Sequence, residues 1–177
     1  MASPLLLLIG LRCSGKTTLG QLAARTLNVP FQDLDPLALA RLGRATVTEA
    51  FEKDGEEGWR RAEALALKDV LAAGAGVLSL GGGTPTAPGA AAAIRSAQST
   101  GRTRVALLHP GERELLRRLA AGRGDRPRLG QNDASEVAHL AAQRLPLYRS
   151  LADAVLDTRL ETDACVRRLA ALVTVGH

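Results

Sequence analysis

Residues 10–17 read Gly-Leu-Arg-Cys-Ser-Gly-Lys-Thr and match the pattern GxxxxGK[ST] of a phosphate-binding loop. In such a loop the backbone N–H groups surround the phosphates of a nucleoside triphosphate, Lys16 reaches the β- and γ-phosphates, and Thr17 holds Mg²⁺. Only three of the 23 basic residues are lysines. A lysine at position 16 therefore indicates a need for a compact ammonium group rather than a planar guanidinium, and the segment predicts phosphate chemistry on a nucleotide.

Two carboxylates spaced by one residue, Asp33 and Asp35, follow the next apolar segment. Alternate residues of a strand lie on one face, and at the carboxyl edge of a parallel sheet this face would open toward the phosphate loop. One carboxylate could support Mg²⁺, while the other could orient or deprotonate an attacking hydroxyl group. A solvated acidic turn is the alternative interpretation of this pair.

Three further features could bind an anionic substrate. Arg60, at the start of a predicted helix, could present its guanidinium group to a carboxylate or phosphate. Three glycines at 81–83 follow a predicted strand and would let the main chain approach a ligand and donate N–H groups to it. The segment 122–132, which contains Arg126, is rich in glycine and arginine and is typical of a mobile loop that closes over a ligand.

Short apolar segments alternate with helical patterns along the chain. The predicted strands are 5–9, 30–33, 76–80, 105–108 and 154–156. The predicted helices are 17–27, 36–42, 48–51, 56–73, 90–97, 112–121, 134–150 and 162–172, and Pro146 should kink or restart the penultimate one. Because parallel strands need crossover helices, the alternation predicts a three-layer α/β/α sandwich with a mostly parallel, five-stranded sheet.

Composition narrows the function classes. The 177 residues suffice for one domain, 1–177, with its own core. An aromatic content of 2% argues against base stacking on nucleic acid, and the net charge of +5 is spread along the chain. Two cysteines without metal-ligand spacing fit a reducing compartment, and neither a secretory signal pattern nor an apolar segment of membrane-spanning length is present. We expect a cytoplasmic monomer that binds neither nucleic acid nor membranes.

Taken in order, the motifs resemble those of the shikimate kinase family, which are P-loop kinases of small molecules. The resemblance covers nearly the whole chain and comprises the phosphate loop, FxDxD at 31–35, GExx[FW]R at 55–60, the glycine triplet, RP at 126–127, RxPxY at 144–148, and the AD and DT pairs at 152–158. It implies a P-loop kinase fold with a mobile lid at 122–132 and substrate-binding helices at 34–61. The implied reaction is ATP-dependent phosphorylation of the shikimate 3-hydroxyl group with Mg²⁺, a step toward chorismate and the aromatic amino acids.

The resemblance also implies a role for each matching residue. Asp35 would bind the shikimate hydroxyls and accept a proton, Asp33 and Thr17 would support Mg²⁺, and Lys16 and Arg126 would neutralise charge on the transferred phosphoryl group. The implied residues around the shikimate carboxylate are Arg60, Arg144, Gly81, Gly82 and Gly83. The implied ATP-binding residues are Arg12, Cys13, Ser14, Gly15, Lys16, Thr17, Thr18, Arg118 (with Arg117 as its alternative), Arg126 and Arg159.

Three alternatives remain open from the sequence. A related kinase of another small metabolite, such as gluconate, would share the phosphate loop but lack the carboxylate-and-diol set of Asp35, Arg60 and Arg144. A shikimate-kinase-like domain that binds a ligand without phosphoryl transfer would release no ADP, or would release ADP independently of shikimate. Nonspecific nucleic-acid binding through the positive charge would depend strongly on salt.

Overall fold

The computed structural model describes residues 4–121 and 133–174 of the chain. Within them, five strands form one sheet in the order β2-β3-β1-β4-β5, and all neighbouring strands are parallel. The strands are β1 (Leu5–Ile9), β2 (Phe31–Asp33), β3 (Gly76–Ser79), β4 (Thr103–Leu108) and β5 (Ala154–Leu156). The predicted parallel, five-stranded sheet is confirmed.

Helices connect successive strands, as crossover connections between parallel strands require. In the described ranges they are α1 (Lys16–Leu27), α2 (Leu34–Leu42), α3 (Val47–Ala73), α4 (Ala90–Ser99), α5 (Glu112–Ala121), α6 (Asp133–Leu151) and α7 (Thr162–Thr174), with a 3₁₀ turn at Thr84–Thr86. None of these described helices is long and apolar enough to cross a membrane.

Strand β1 lies at the centre of the sheet, and its side chains point alternately into two cores. Leu5, Leu7 and Ile9 pack with side chains of α3, α4, α5 and α6. Leu6 and Leu8 pack on the opposite face with side chains of α1 and α7. A strand covered on both faces must be apolar at every position, which explains the uninterrupted Leu-Leu-Leu-Leu-Ile sequence. The helices on both faces confirm the three-layer sandwich.

Helix α3 contains the break expected between 51 and 56. Its backbone is non-helical at Gly55, where φ is +69°, a value that glycine adopts without a Cβ penalty. The kink separates the turn that carries Asp54 from the longer segment that carries Arg60. Asp54 is tied back to Arg44 by two hydrogen bonds of 2.7 and 3.0 Å, so the segment before the kink is anchored to the α2–α3 connection.

Of the two outcomes predicted for Pro146, a kink or a restart of the helix, the restart is wrong, because α6 continues through this residue to Leu151. Proline removes one donor to the carbonyl four residues earlier, which here belongs to Ala142. Residues 142 and 146 are both exposed, so water can satisfy that carbonyl. The uninterrupted helix keeps Arg144 and Tyr148 one turn apart on the same helical surface.

Candidate active site

The carboxyl ends of β1, β2 and β3 meet at one edge of the sheet, because the three strands are parallel and adjacent. The phosphate loop follows β1, Asp33 ends β2, and the glycine triplet follows β3. A Cβ on Gly82 would lie 3.3 Å from the backbone nitrogen of Arg12. The topology therefore brings the glycine triplet into contact with the phosphate loop.

Lys16 begins α1, and its ammonium group lies across the phosphate loop. Its Nζ donates to the carbonyl oxygens of Gly10 at 2.9 Å and Leu11 at 2.8 Å, and the residue is 9% exposed. The N-terminus of α1 adds the positive end of its dipole at the same place. Loop, lysine and helix together form a site for a polyphosphate.

Asp33 and Asp35 come together at the site, but not through the predicted geometry. Strand β2 ends at Asp33, whose carboxylate caps α2 and accepts a hydrogen bond from the backbone N–H of Asp35 at 3.1 Å. Asp35 therefore lies in the first turn of α2 rather than on the strand. The prediction that both carboxylates share a strand face is wrong, because the cap at Asp33 starts the helix at once.

Thr17 and Asp33 provide adjacent hard oxygen atoms next to the phosphate loop. The Thr17 hydroxyl donates to Asp33 Oδ2 at 3.1 Å. Mg²⁺ prefers such oxygen ligands and takes its remaining ones from phosphates and water. The described residues contain no group of three or more His, Cys, Asp or Glu side chains that could hold a metal ion. The Thr17 and Asp33 oxygens fit a magnesium ion that is bound together with a nucleotide.

Glu63 lies in the site, but it was not among the site residues predicted from the sequence. It is 1% exposed, and its carboxylate accepts from Arg60 Nη1 at 2.6 Å and from the Thr84 hydroxyl at 2.6 Å. The available signal was its spacing, since residues three apart on a helix are neighbours. Glu63 fixes one side of the Arg60 guanidinium group and leaves that group's remaining donors to other partners.

The glycine triplet is crowded by these side chains. A Cβ on Gly81 would lie 2.8 Å from Asp35 Oδ1, and a Cβ on Gly83 would overlap the guanidinium group of Arg60. A side chain at either position would displace Asp35 or Arg60 from the place that each occupies against the main chain. The triplet therefore serves to admit protein side chains, in addition to the ligand contacts predicted from the sequence.

Two residues of α6 reach the same triplet. Arg144 Nη1 donates to the carbonyl oxygen of Gly82 at 2.9 Å, and the hydroxyl of Tyr148 donates to that same oxygen. Burial raises the pKa of Tyr148 to about 12, so the phenol remains a neutral donor throughout the physiological range. Arg60 and Arg144 are thus brought to neighbouring residues of one turn, close to Asp35.

Arg118 on α5 faces the phosphate loop, and Arg117 does not. Arg118 donates to the carbonyl oxygen of Cys13 at 3.5 Å and to that of Thr158 at 2.8 Å. Arg117 is 69% exposed and makes two bonds of 2.7 Å to Glu114. Hydrogen bonds from Arg117 and then Arg118 lower the pKa of Glu114 to about 2. Of the two arginines, the structure brings Arg118 to the nucleotide side.

The other predicted residues divide into three groups. Arg12, Cys13, Ser14 and Gly15 form the phosphate loop itself, and Thr18 is exposed on α1. The side chain of Arg159 is 65% exposed and lowers the pKa of Asp157 to about 2. Within the described ranges its side-chain hydrogen bonds go to Asp157 and not to the phosphate loop. Arg126 and the predicted lid at 122–132 lie outside the described residues.

Comparison with known proteins shows which proteins this chain is similar to. The family model for shikimate kinase matches residues 12–174. A shikimate kinase of Mycobacterium marinum is 39% identical over 167 residues, which are 94% of this chain and 86% of that protein. The structure of shikimate kinase from Acinetobacter baumannii in complex with shikimate has a TM-score of 0.86 at 26% identity and covers 98% of this chain and 94% of its own. A gluconokinase from Sinorhizobium meliloti has a similar fold, with a TM-score of 0.58 at 17% identity over 99% of this chain and 94% of its own.

Proposed function

The chain belongs to the shikimate kinase family, and on that premise we propose that the site described above transfers the γ-phosphoryl group of ATP to the 3-hydroxyl group of shikimate. The observation that carries this assignment is the convergence of Arg60 and Arg144 on the glycine triplet, beside Asp35 and the phosphate loop. A substrate that carries both a carboxylate and hydroxyl groups matches a site that offers two guanidinium groups and a carboxylate around one turn. The product is shikimate 3-phosphate.

The acceptor half of the site orients the hydroxyl group. Arg60 and Arg144 bind the carboxylate of shikimate, and Asp35 binds the hydroxyls and takes the proton from the attacking oxygen. Arg60 is held for this task by Glu63 at 2.6 Å. Such positioning converts a bimolecular reaction into an effectively intramolecular one, which is the main contribution a protein makes to phosphoryl transfer.

The donor half of the site holds the phosphates. Loop N–H groups and Lys16 bind the β- and γ-phosphates, and charge that develops on the transferred group is neutralised by the Lys16 ammonium group. Thr17 and Asp33 would hold Mg²⁺, which neutralises phosphate charge when it is bound with ATP. Arg126 would approach from the lid; this role, and the treatment of 1–177 as one kinase domain, stay predictions.

Partners and location follow from the same proposal. ATP and shikimate are the substrates, and we expect a cytoplasmic monomer without affinity for nucleic acid or membranes. Both cysteines, Cys13 and Cys165, are free thiols in the structure, which is compatible with a reducing compartment. Size-exclusion chromatography with light scattering measures the oligomeric state directly.

Measuring ADP release tests the assignment. The purified protein with ATP and Mg²⁺ should release ADP when shikimate is added and should not respond to gluconate at equal concentration. A preference for gluconate would support the kinase with another substrate, and binding of shikimate without ADP release would support a ligand-binding domain. Mass spectrometry of the product should show one phosphate on shikimate.

A further inference from the structure

We infer that Thr158 is a positioning residue for the nucleotide: its hydroxyl group holds the phosphate loop in its binding shape from outside the loop. Thr158 follows β5 and precedes α7, 144 positions after Ser14 in the chain. The inference rests on the proposed use of residues 10–17 as the ATP phosphate site. It assigns a task to a buried side chain that none of the roles above uses.

The contacts of Thr158 connect three separate segments. Its Oγ1 donates to the carbonyl oxygen of Ser14 at 2.9 Å and accepts from Arg118 Nη1 at 3.2 Å, while its own carbonyl oxygen accepts from Arg118 Nη2 at 2.8 Å. A hydroxyl group can donate once and accept as well, so this side chain is used in both directions. Ser14 is 0% exposed and Thr158 is 7% exposed, which leaves little access for water to replace either bond.

The bond to Ser14 controls the direction of a loop N–H group. The carbonyl of Ser14 and the N–H of Gly15 belong to one planar trans peptide, so they point in opposite directions. The hydrogen bond from Thr158 holds the Ser14 carbonyl on the outer side of the loop. The Gly15 N–H is therefore directed to the opposite side of the same peptide. Gly15 caps the start of α1, where backbone N–H groups bind the phosphates in loops of this type.

The conformation of Cys13 shows why the loop needs outside support. Cys13 has a φ of +61°, in the left-handed region that residues with a side chain adopt at a cost. Such conformations persist where surrounding contacts determine them. Here the carbonyl of Cys13 is contacted by Arg118 at 3.5 Å and the next carbonyl by Thr158 at 2.9 Å.

Substitution of Thr158 by valine tests the inference, since valine keeps the shape and removes the hydroxyl group. We expect Thr158→Val to raise the Kd for MgADP, measured by isothermal titration calorimetry, and the KM for ATP by roughly tenfold. The KM for shikimate should not change. Thr158→Ser retains the hydroxyl and should restore nucleotide affinity to near the wild-type value.

A matched control is Thr103→Val. Thr103 is also buried, at 4% exposed, but it begins β4 opposite Leu5, at the end of the sheet far from the phosphate loop. The Thr103→Val variant should leave the KM for ATP and the KM for shikimate unchanged. Its change in stability measures the general cost of replacing a buried threonine. Thermal unfolding of all variants separates stability from affinity.

Several outcomes would overturn the inference: unchanged nucleotide affinity in Thr158→Val, an equal rise in both KM values, or a failure of Thr158→Ser to restore affinity. If the valine variant does not fold, Thr158→Ala, which places no methyl group against the Ser14 carbonyl, is measured in its place. The MgADP titration contains no shikimate, so it tests the role of Thr158 separately from phosphorylation of shikimate. A wild type that binds MgADP but does not phosphorylate shikimate would refute the proposed function and leave the role of Thr158 to be judged by the variants.

Discussion

Glu63 Oε2 lies 2.6 Å from Arg60 Nη1, and the two side chains are 1% and 16% exposed. A carboxylate buried to this extent is tolerated only with a charged partner and further hydrogen bonds, which Arg60 and Thr84 supply. The pair holds one edge of the Arg60 guanidinium group in place before any ligand binds. Pre-organisation of this kind reduces the entropy lost when the substrate binds.

Replacement of Glu63 by glutamine should therefore weaken acceptor binding. Glutamine keeps the size of the side chain but removes the buried charge beside Arg60, which keeps the 67% exposed Glu56, at 3.2 Å, as a carboxylate partner. We therefore expect KM for shikimate to rise roughly tenfold with KM for ATP unchanged. The control is Glu57→Gln, whose partner Arg61 lies on the exposed surface of the same helix, with side chains 83% and 69% exposed. An equal rise in both KM values would contradict a role in acceptor binding.

Loss of Lys16 should abolish turnover. In Lys16→Ala the ammonium group that neutralises the transferred phosphoryl group is absent, and we expect kcat to fall by at least about 100-fold. Lys53→Ala serves as the control, because Lys53 is 56% exposed and paired with Glu49 on the surface. Retention of near-normal kcat in a folded Lys16→Ala protein would remove Lys16 from the mechanism.

Asp35→Asn should lower kcat while the fold is retained. The amide cannot take the proton from the attacking hydroxyl group, and general bases typically contribute about 10² to 10⁴ in rate. The coupled ADP-release assay measures kcat, and circular dichroism reports the fold. If the variant turns over at the wild-type rate, the proton must leave by another route.

Asp33→Asn should change the requirement for magnesium. Asparagine is as good an N-cap as aspartate, so α2 should still begin normally, but the charged oxygen beside Thr17 is lost. We expect the Mg²⁺ concentration that gives half-maximal activity to rise by about 10-fold or more. Asp69→Asn, at a side chain that is 67% exposed, is the comparison, and equal magnesium curves for both variants would refute the metal assignment.

Tyr148 should resist alkaline titration. It is the single tyrosine of the chain, so tyrosinate absorbance in the near ultraviolet reports it alone. Because burial raises its pKa from 10.0 to about 12, the buried neutral phenol contributes stability below about pH 10 that is lost as the pH rises toward 12. In the folded wild type we expect no tyrosinate near pH 10 and a midpoint of the tyrosinate titration near pH 12. The Tyr148→Phe variant should not show this alkaline loss of stability. A midpoint near 10 while the protein stays folded would show that Tyr148 is not held as described.

Much of the fold followed from local pattern. The fully apolar segment at residues 5–9, the phosphate loop after it, and the alternation of strand and helix depend on neighbours in the chain, and the structure confirms all three. The sequence also predicted a break between the helices at 48–51 and 56–73, which in the structure is a kink at Gly55 within one helix. The helix did not restart at Pro146, because the cost of a lost helical bond depends on whether water reaches the freed carbonyl, which is a property of the folded surface.

The sequence by itself determined which chemical groups are present: an ammonium group in a phosphate loop, two carboxylates, a glycine triplet and a set of arginines, in an order that identifies a family. Only the tertiary structure decided how they are used. Asp33 ends a strand and caps a helix, Glu63 holds Arg60, Arg118 rather than Arg117 meets the loop, and Thr158 contacts Ser14. These relationships join residues from different elements, and their distances depend on how helices pack against the sheet, which no local spacing records.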